Sequence, residues 1–178
     1  MSSLETDLDR IGQLAIAHRD DFQVMHYMLL HDDDLVDTHL DALVEDVAAP
    51  IIDAVDCTQC ANCCRSLDVY VTAKDVSHLA RRLDSPITEV ISTLVDRKAA
   101  QKQGEWRRLC EKPCVFLKGN QCSIYTHRPE ACRMYPVFTP DFRWILADTI
   151  EGASSCPIIY HVLIAMLHRV ESGLLTEE

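Results

Sequence analysis

Glycine and positive charge are both scarce in this sequence. Only five of its 178 residues are glycine, and none forms a Gly-rich loop of the kind that cradles nucleotide phosphates. Lysine and arginine number 17 against 28 aspartates and glutamates. The resulting formal charge of −11 argues against docking on nucleic acid, which needs clustered cations to displace counterions, and reads instead as solubility. Also missing are a run of roughly 20 apolar residues that would span a membrane and, at "MSSLETDLDR", the basic and apolar stretches of a signal peptide. The expectation is a cytoplasmic chain without membrane contact. No repeat and no low-complexity linker divides the chain, and no nucleophile–base pair or carboxylate dyad stands out. Whether the protein is an enzyme is therefore left open.

What the sequence does have is cysteine, nine in all. A chain of this length buries an adequate apolar core without covalent staples. In a reducing compartment thiols point to metal ligation or redox chemistry and away from structural disulfides. Four of them, Cys57, Cys60, Cys63 and Cys64, fall in the stretch "CTQCANCC". A C-x2-C turn lets two thiolates converge on one ion. C-x2-C-x2-C is also the run that supplies three cluster ligands in bacterial ferredoxins, with a distant Cys-Pro supplying another, a role that Cys156-Pro157 fits. Neighbouring side chains leave a backbone in different directions, so Cys63 and Cys64 are expected to have two destinations. The working partition puts Cys57, Cys60, Cys63 and Cys156 at one centre and Cys64, Cys114, Cys122 and Cys132 at a second, with Cys110 as the spare.

Local patterns place these thiols on a mostly helical α+β fold, with short hairpins and loops gathering the cysteines and helices packed around them. Apolar spacing predicts one amphipathic helix from Leu4 to Leu30, broken by "HDDD" at 31–34, and a second from about Leu35 to Val47 that Pro50 ends. Residues 1–50 are expected to form an N-terminal helical element and residues 51–178 the cysteine-cluster metal-binding domain, the two making one compact unit. "LDVYV" reads as a short strand, and Thr72 with Asp75 as a capping box opening a helix. Ser85 is expected as the N-cap of the next helix and Pro86 as its first residue. "KGN" signals a hairpin that brings Cys114 and Cys122 close, and Arg128-Pro129 opens a short helix holding Cys132 and stopped by Pro136. "TPDFRW" predicts a second hairpin, followed by a buried C-terminal helix that begins next to Cys156.

"CTQCANCC", then "PCVFLKGNQCSIYTHRPEACRMYP", then "CP" resembles the YkgJ-type cysteine-cluster family, a zinc- or iron-chelating domain often labelled as containing an Fe–S cluster. The shared signature falls on Cys122, Ile124, Tyr125, Arg128, Pro129, Cys132, Arg133, Tyr135 and Pro136, and the likeness covers roughly residues 57 to 160. Members commonly have Gly before the third cysteine where this chain has Ala61-Asn62, and Asn62 is expected to take the left-handed conformation in its place. A weaker likeness to the cysteine-rich part of flagellin lysine N-methylases would imply an S-adenosylmethionine enzyme, which the lack of a Gly-rich loop argues against.

All-thiolate sites suit either zinc or iron. Zinc domains usually pair two C-x2-C knuckles, whereas here one condensed run is completed by distant single cysteines, so the pattern favours a 4Fe–4S cluster, with zinc as the alternative. Arg65, Arg128 and Arg133 sit beside ligand cysteines and are expected to donate to sulfurs or to nearby carbonyls, raising a cluster's potential; helix capping or packing on Tyr125 or Tyr135 is the competing role. Among the eight histidines only His127 lies near the site. Three classes of function follow: an iron–sulfur protein for electron transfer or sensing, with a protein redox partner; a zinc-stabilised interaction module; and a metal-dependent modifying enzyme or its accessory subunit.

Overall fold

The protein is a mostly helical α+β structure, as expected from sequence. The computed structural model describes residues 4–102, 104–110 and 112–173. In chain order the elements are α1 (Leu8–Ala17), α2 (Arg19–Leu30), α3 (Asp37–Ala54), α4 (Cys57–Cys60), α5 (Asn62–Ser66), α6 (Ala73–Leu83), α7 (Ile87–Leu94), β1 (Val95–Asp96), α8 (Arg97–Gln101) and β2 (Arg108–Leu109). They continue with β3 (Leu117–Lys118), β4 (Gln121–Cys122), a 3-10 turn (Tyr125–His127), α9 (Glu130–Met134), α10 (Phe142–Gly152) and α11 (Pro157–Glu171). The chain divides into two compact units, Met1–Asp56 with Pro136–Glu178, and Cys57–Tyr135.

The first unit is all helical. Its core is built from α1, α2, α3, α10 and α11, whose Ile11, Phe22, Met25, Leu40, Phe142, Leu146, Leu163 and Met166 are fully buried. Each such side chain contributes roughly 1.5–3 kcal/mol through burial. The single helix expected over 4–30 is two. It breaks at His18, whose N–H closes α1 onto Leu14 and Ile16, and α2 restarts with Asp20 and Asp21 in its first turn, where carboxylates complement the helix dipole. Pro50 does not end α3, which continues to Ala54; the proline forfeits one N–H bond and the last turn remains helical. The "HDDD" turn does break the helix, and its carbonyls are taken up: buried Arg143 donates to the carbonyls of Leu29 and Asp32 at 3.2 Å each, to that of Leu35, and to the carboxylate of Asp37.

The hairpin expected at "TPDFRW" is instead the start of α10, whose Phe142, Leu146 and Ile150 recur at helical spacing. Asp141 takes a left-handed conformation (φ 66°), and the cap comes from far along the chain: Asp41 on α3 accepts from the N–H groups of Asp141 and Phe142 at 2.8 and 2.9 Å. α11 is the buried C-terminal helix foreseen, with Cys156 as its N-cap and Pro157 first.

The second unit holds eight of the nine cysteines and is made of short elements around a core of Val71, Val76, Leu79, Val90, Val95, Leu109, Phe116 and Ile124. "LDVYV" forms no strand. It runs extended beside β2, with Val71 N–H donating to Arg107 and Leu109 N–H to Val69 at 2.9 Å each, around one bridge between Tyr70 and Arg108. β1 pairs antiparallel with β2, and β3 with β4. α7 starts one residue later than expected, with Pro86 as its N-cap.

The capping box forms, and it does more than open α6. Asp75 is buried; it accepts from the Thr72 N–H (2.9 Å) and hydroxyl (2.7 Å), while its other oxygen accepts from the N–H of Glu130, the first residue of α9, at 3.0 Å. One carboxylate thus fixes two helix N-termini. Burial alone would raise its pKa, but the hydrogen bonds from Thr72 and Glu130 and the charge of Arg133 outweigh burial and hold it below the ordinary 3.8.

Two expected outcomes follow from these remote caps. Asp41→Ala should destabilise the protein by about 1 kcal/mol, the usual worth of an N-cap, in thermal or urea melts. Asp75→Asn should cost about 1–3 kcal/mol at neutral pH, because buried donors lose an ionised acceptor. A group with a lowered folded pKa stabilises above its unfolded value, so this difference should be full above pH 3.8 and disappear as pH falls through the folded value. A difference that persists unchanged into acid would show that Asp75 acts through shape alone.

Candidate metal centre

The condensed cysteine run folds as two short helical turns joined by a reversal. α4 carries Cys57 and Cys60, and α5 carries Cys63 and Cys64. The residue that takes the left-handed conformation is Ala61 (φ 51°, ψ 19°) and not Asn62, which already belongs to α5. Ala61 is buried, so a small apolar side chain suits the site, at a conformational cost of about 1–2 kcal/mol relative to right-handed backbone.

The other thiols arrive on separate segments. The Cys114 N–H donates to the Cys64 carbonyl at 2.8 Å, which ties the loop before β3 directly to α5. β3 and β4 form a two-residue hairpin with positive φ at Gly119 (63°), and its register pairs Leu117 with Cys122. Cys114 and Cys122 both pack against the same apolar core. Asn120 at the hairpin tip donates to the Gln59 carbonyl at 2.9 Å and accepts from Arg65, so the tip is fastened to α4. Cys132 sits on α9, which Pro129 opens and Asp75 caps.

These segments enclose a cavity of about 170 Å³. Cys57, Cys63, Cys64, Cys114, Cys122 and Cys132 line it, together with apolar Leu67, Val69, Leu109, Phe116 and Ile124 and with Tyr125, Arg128 and Tyr135. Cys63 and Cys64 thus face one cavity. Half-buried Cys60 and exposed Cys110 do not line it, and Cys156 belongs to the helical unit. His127 lies in the 3-10 turn, where Nδ1 meets the Thr126 hydroxyl at 2.9 Å. Among the described residues, no three His, Cys, Asp or Glu side chains are arranged so that they could hold one metal ion. Cys63 and Cys64 are joined by a thiol–thiol hydrogen bond, and Cys114, Cys122 and Cys132 line the same cavity.

Their electrostatics reflect that crowding. The Cys64 thiol is pushed up by its hydrogen bond with Cys63, by burial and by the Cys63 charge, against the pull of Arg128 and Arg65. Burial, then Cys114, Cys64 and Cys122, push Cys132 up to about 12. Cys114 and Cys122 are raised chiefly by burial, although main-chain N–H groups of Phe116 and Ile124 respectively oppose it. Cys64, Cys114, Cys122 and Cys132 therefore lie within one another's fields and resist ionising together. A bound cation reverses that logic, since a coordinating thiol is deprotonated outright. The donor set fits a thiophilic metal or cluster.

The three arginines give their hydrogen bonds mainly to carbonyls. Arg65 donates to the Cys60 carbonyl at 2.7 Å as well as to Asn120. Arg128 stacks over the Tyr125 ring at 3.7 Å and donates to its carbonyl at 3.0 Å. Arg133 donates to the Arg128 carbonyl. Among the described residues, none of the three forms a salt bridge with a carboxylate.

Sequence reading missed three contributors. Asp75 was legible as a cap for α6 but not for α9. Asn120 was legible as a turn residue, but its grip on α4 was not, because the 61 positions between Asn120 and Gln59 hide it. The apolar half of the cavity wall carries no chemical signal at all.

Comparison with known proteins bears on this geometry. The chain is 36% identical over 85 residues to "Uncharacterized protein MJ0661" of Methanocaldococcus jannaschii, an alignment covering 47% of this chain and 44% of that protein. The chain thus spans less than half the length of that relative. No solved structure matches. The family model CxxCxxCC, described as a "Putative zinc- or iron-chelating domain", matches residues 56–156, more than half of the chain and every cysteine in it. A domain so described, matched across a cavity walled by six thiols, supports metal binding, and the chain belongs to the CxxCxxCC zinc- or iron-chelating family.

Proposed function

We propose that the cavity holds an iron–sulfur cluster of the 4Fe–4S type, with Cys64, Cys114, Cys122 and Cys132 as its ligands, and that the protein works in electron transfer or redox sensing. The observation that carries this reading is the form of the site. A lone zinc ion needs four donors converging on a point about 2.3 Å from each sulfur. Here six thiols line a cavity of about 170 Å³. A single water needs only about 10–15 Å³, so the cavity takes a group several times larger than one water, as a polynuclear centre bringing its own sulfides is.

Such a cluster supplies one-electron chemistry, and this chain's residues set its conditions. The apolar wall of Leu67, Val69, Leu109, Phe116 and Ile124 lowers the local dielectric. Arg65 and Arg128, anchored to the carbonyls of Cys60 and Tyr125, place positive charge in the field of the thiols, which favours the more reduced, more negative state. The sequence pattern sets Cys57, Cys60 and Cys63 apart from that ligand set. Cys57 and Cys63 line the same cavity. Thiolate ligation of this kind belongs to a reducing compartment, and a cytoplasmic location follows from it.

Anaerobic purification tests the reading. A brown protein with absorbance near 400 nm and bound iron and sulfide is expected; a colourless protein carrying stoichiometric zinc would replace the cluster with a zinc-stabilised interaction module. Because ligands distant in sequence close long loops through the centre, metal affinity and folding should be coupled. Cys132→Ser and Cys64→Ser are expected to lower bound metal and melting temperature sharply, and Cys110→Ser to do much less. Equal losses from Cys110→Ser would move Cys110 into a site, and unchanged metal content in all three variants would end the metal reading.

A further inference from the structure

Charge is divided between the two units in a way the whole-chain value hides. Met1–Asp56 with Pro136–Glu178 contains twenty aspartates and glutamates against four arginines, whereas Cys57–Tyr135 contains thirteen lysines and arginines against eight acids. Of the four arginines in the helical unit, Arg143 is buried against backbone carbonyls and Asp37, and Arg19 is paired with Glu151. The helical unit is therefore strongly anionic at its surface.

Its helix α2 is apolar on two faces. Phe22, Met25 and Leu29 form the buried stripe that packs into the core. Val24, Tyr27 and Met28 lie on the opposite face and are 58%, 62% and 51% exposed. They sit at i, i+3 and i+4, and His31 continues the row with its ring stacked on Tyr27 at 4.1 Å. A surface helix of a globular protein ordinarily carries polar residues on its outer face. Acids bracket this outer stripe at both ends, Asp20 and Asp21 before it and Asp32, Asp33 and Asp34 after it. Ile16 on α1 and Trp144 on α10, a helix packed on α2, are exposed as well, at 72% and 62%.

We propose that the outward face of α2 is a docking surface for a basic amphipathic helix of a partner protein. The apolar side chains would take the partner's apolar stripe, and the acids at both ends would meet its lysines or arginines, the helix-in-groove mode with charge at the rim. A second copy of this chain is a poor occupant, because pairing the same face would set the acid brackets of the two copies against each other. The inference rests on the helical unit alone and stands whether the cysteine unit carries iron or zinc.

A synthetic amphipathic helix of Leu and Lys, fluorescently labelled, tests this against the full metal-loaded chain, with a Leu/Glu helix as the control. Anisotropy should show saturable binding of one Leu/Lys peptide per chain and none of the Leu/Glu peptide. The triple variant Val24→Gln, Tyr27→Gln, Met28→Gln keeps every charge and uses a good helix former, so circular dichroism and melting should be unchanged while affinity falls at least about tenfold. Retained affinity in that variant would reduce the binding to diffuse charge attraction and overturn the proposal, as would failure of the wild type to bind. Light scattering that shows a dimer of the wild type and a monomer of the variant would overturn it in favour of self-association.

Discussion

Thiols crowded into an apolar wall cannot ionise together unless a positive charge stands among them. Burial pushes Cys132, Cys114 and Cys122 toward the neutral form, and each sulfur that does ionise raises the barrier for the next. The organisation of the Cys57–Tyr135 unit follows from this constraint. Without a cation the cavity is a pocket of neutral thiols no different in kind from buried core cysteines; with one, the same thiols become ligands and release protons as they bind. The arginines are too few and too committed to carbonyls to serve as that cation. They bias the site without completing it.

Because no element of this unit is longer than α6, local propensity does not hold it together. Single polar contacts between segments do the positioning instead. The Cys114 N–H on the Cys64 carbonyl brings one loop to α5, Asn120 fastens the hairpin tip to α4, and Asp75 fixes α9 and with it Cys132. Each of these joins a cysteine-bearing segment to another part of the unit across tens of residues. Geometry at the thiols is therefore sensitive to residues that never touch them, as outer-shell partners are at metal sites generally.

The same distinction governs how far the sequence could be read. Signals that depend on neighbours were legible: the Thr72–Asp75 capping box, the turn at Gly119-Asn120, Pro129 before α9 and Pro157 at the start of α11. Misreadings arose where a distant group overrode a local one. "TPDFRW" looks like a turn between strands, but Asp41 supplies the cap that makes it a helix start, and no local pattern announces a cap from 100 residues away. Pro50 carries a strong stop signal, yet the loss of one hydrogen bond did not outweigh continuation of α3. At the cysteine run the need for a left-handed residue was legible, but burial decided which one, and it fell on Ala61 although asparagine tolerates that conformation better. For the site, the spacing of the cysteines was readable, whereas the cavity they enclose is a property of assembled segments and has no linear signature.

Net charge illustrates the same limit at the scale of the whole chain. The value of −11 is the sum of a strongly acidic helical unit and a cysteine unit with an excess of five positive charges. The electrostatic argument against nucleic acid applies to the first of these and not to the second. A basic composition is also what a thiolate-rich site requires for its own sake. Eight cysteines fall within Cys57–Tyr135, and any that ligate carry negative charge that a metal centre neutralises only in part. Thirteen basic side chains against eight acidic ones offset that residue of charge, and Arg65 and Arg128 place part of the excess within the field of the sulfurs. The unit that would be most basic without metal thereby comes closer to neutrality when its thiols ligate, while the helical unit stays anionic. Metal loading changes the charge of one half of the molecule and leaves the other as it was.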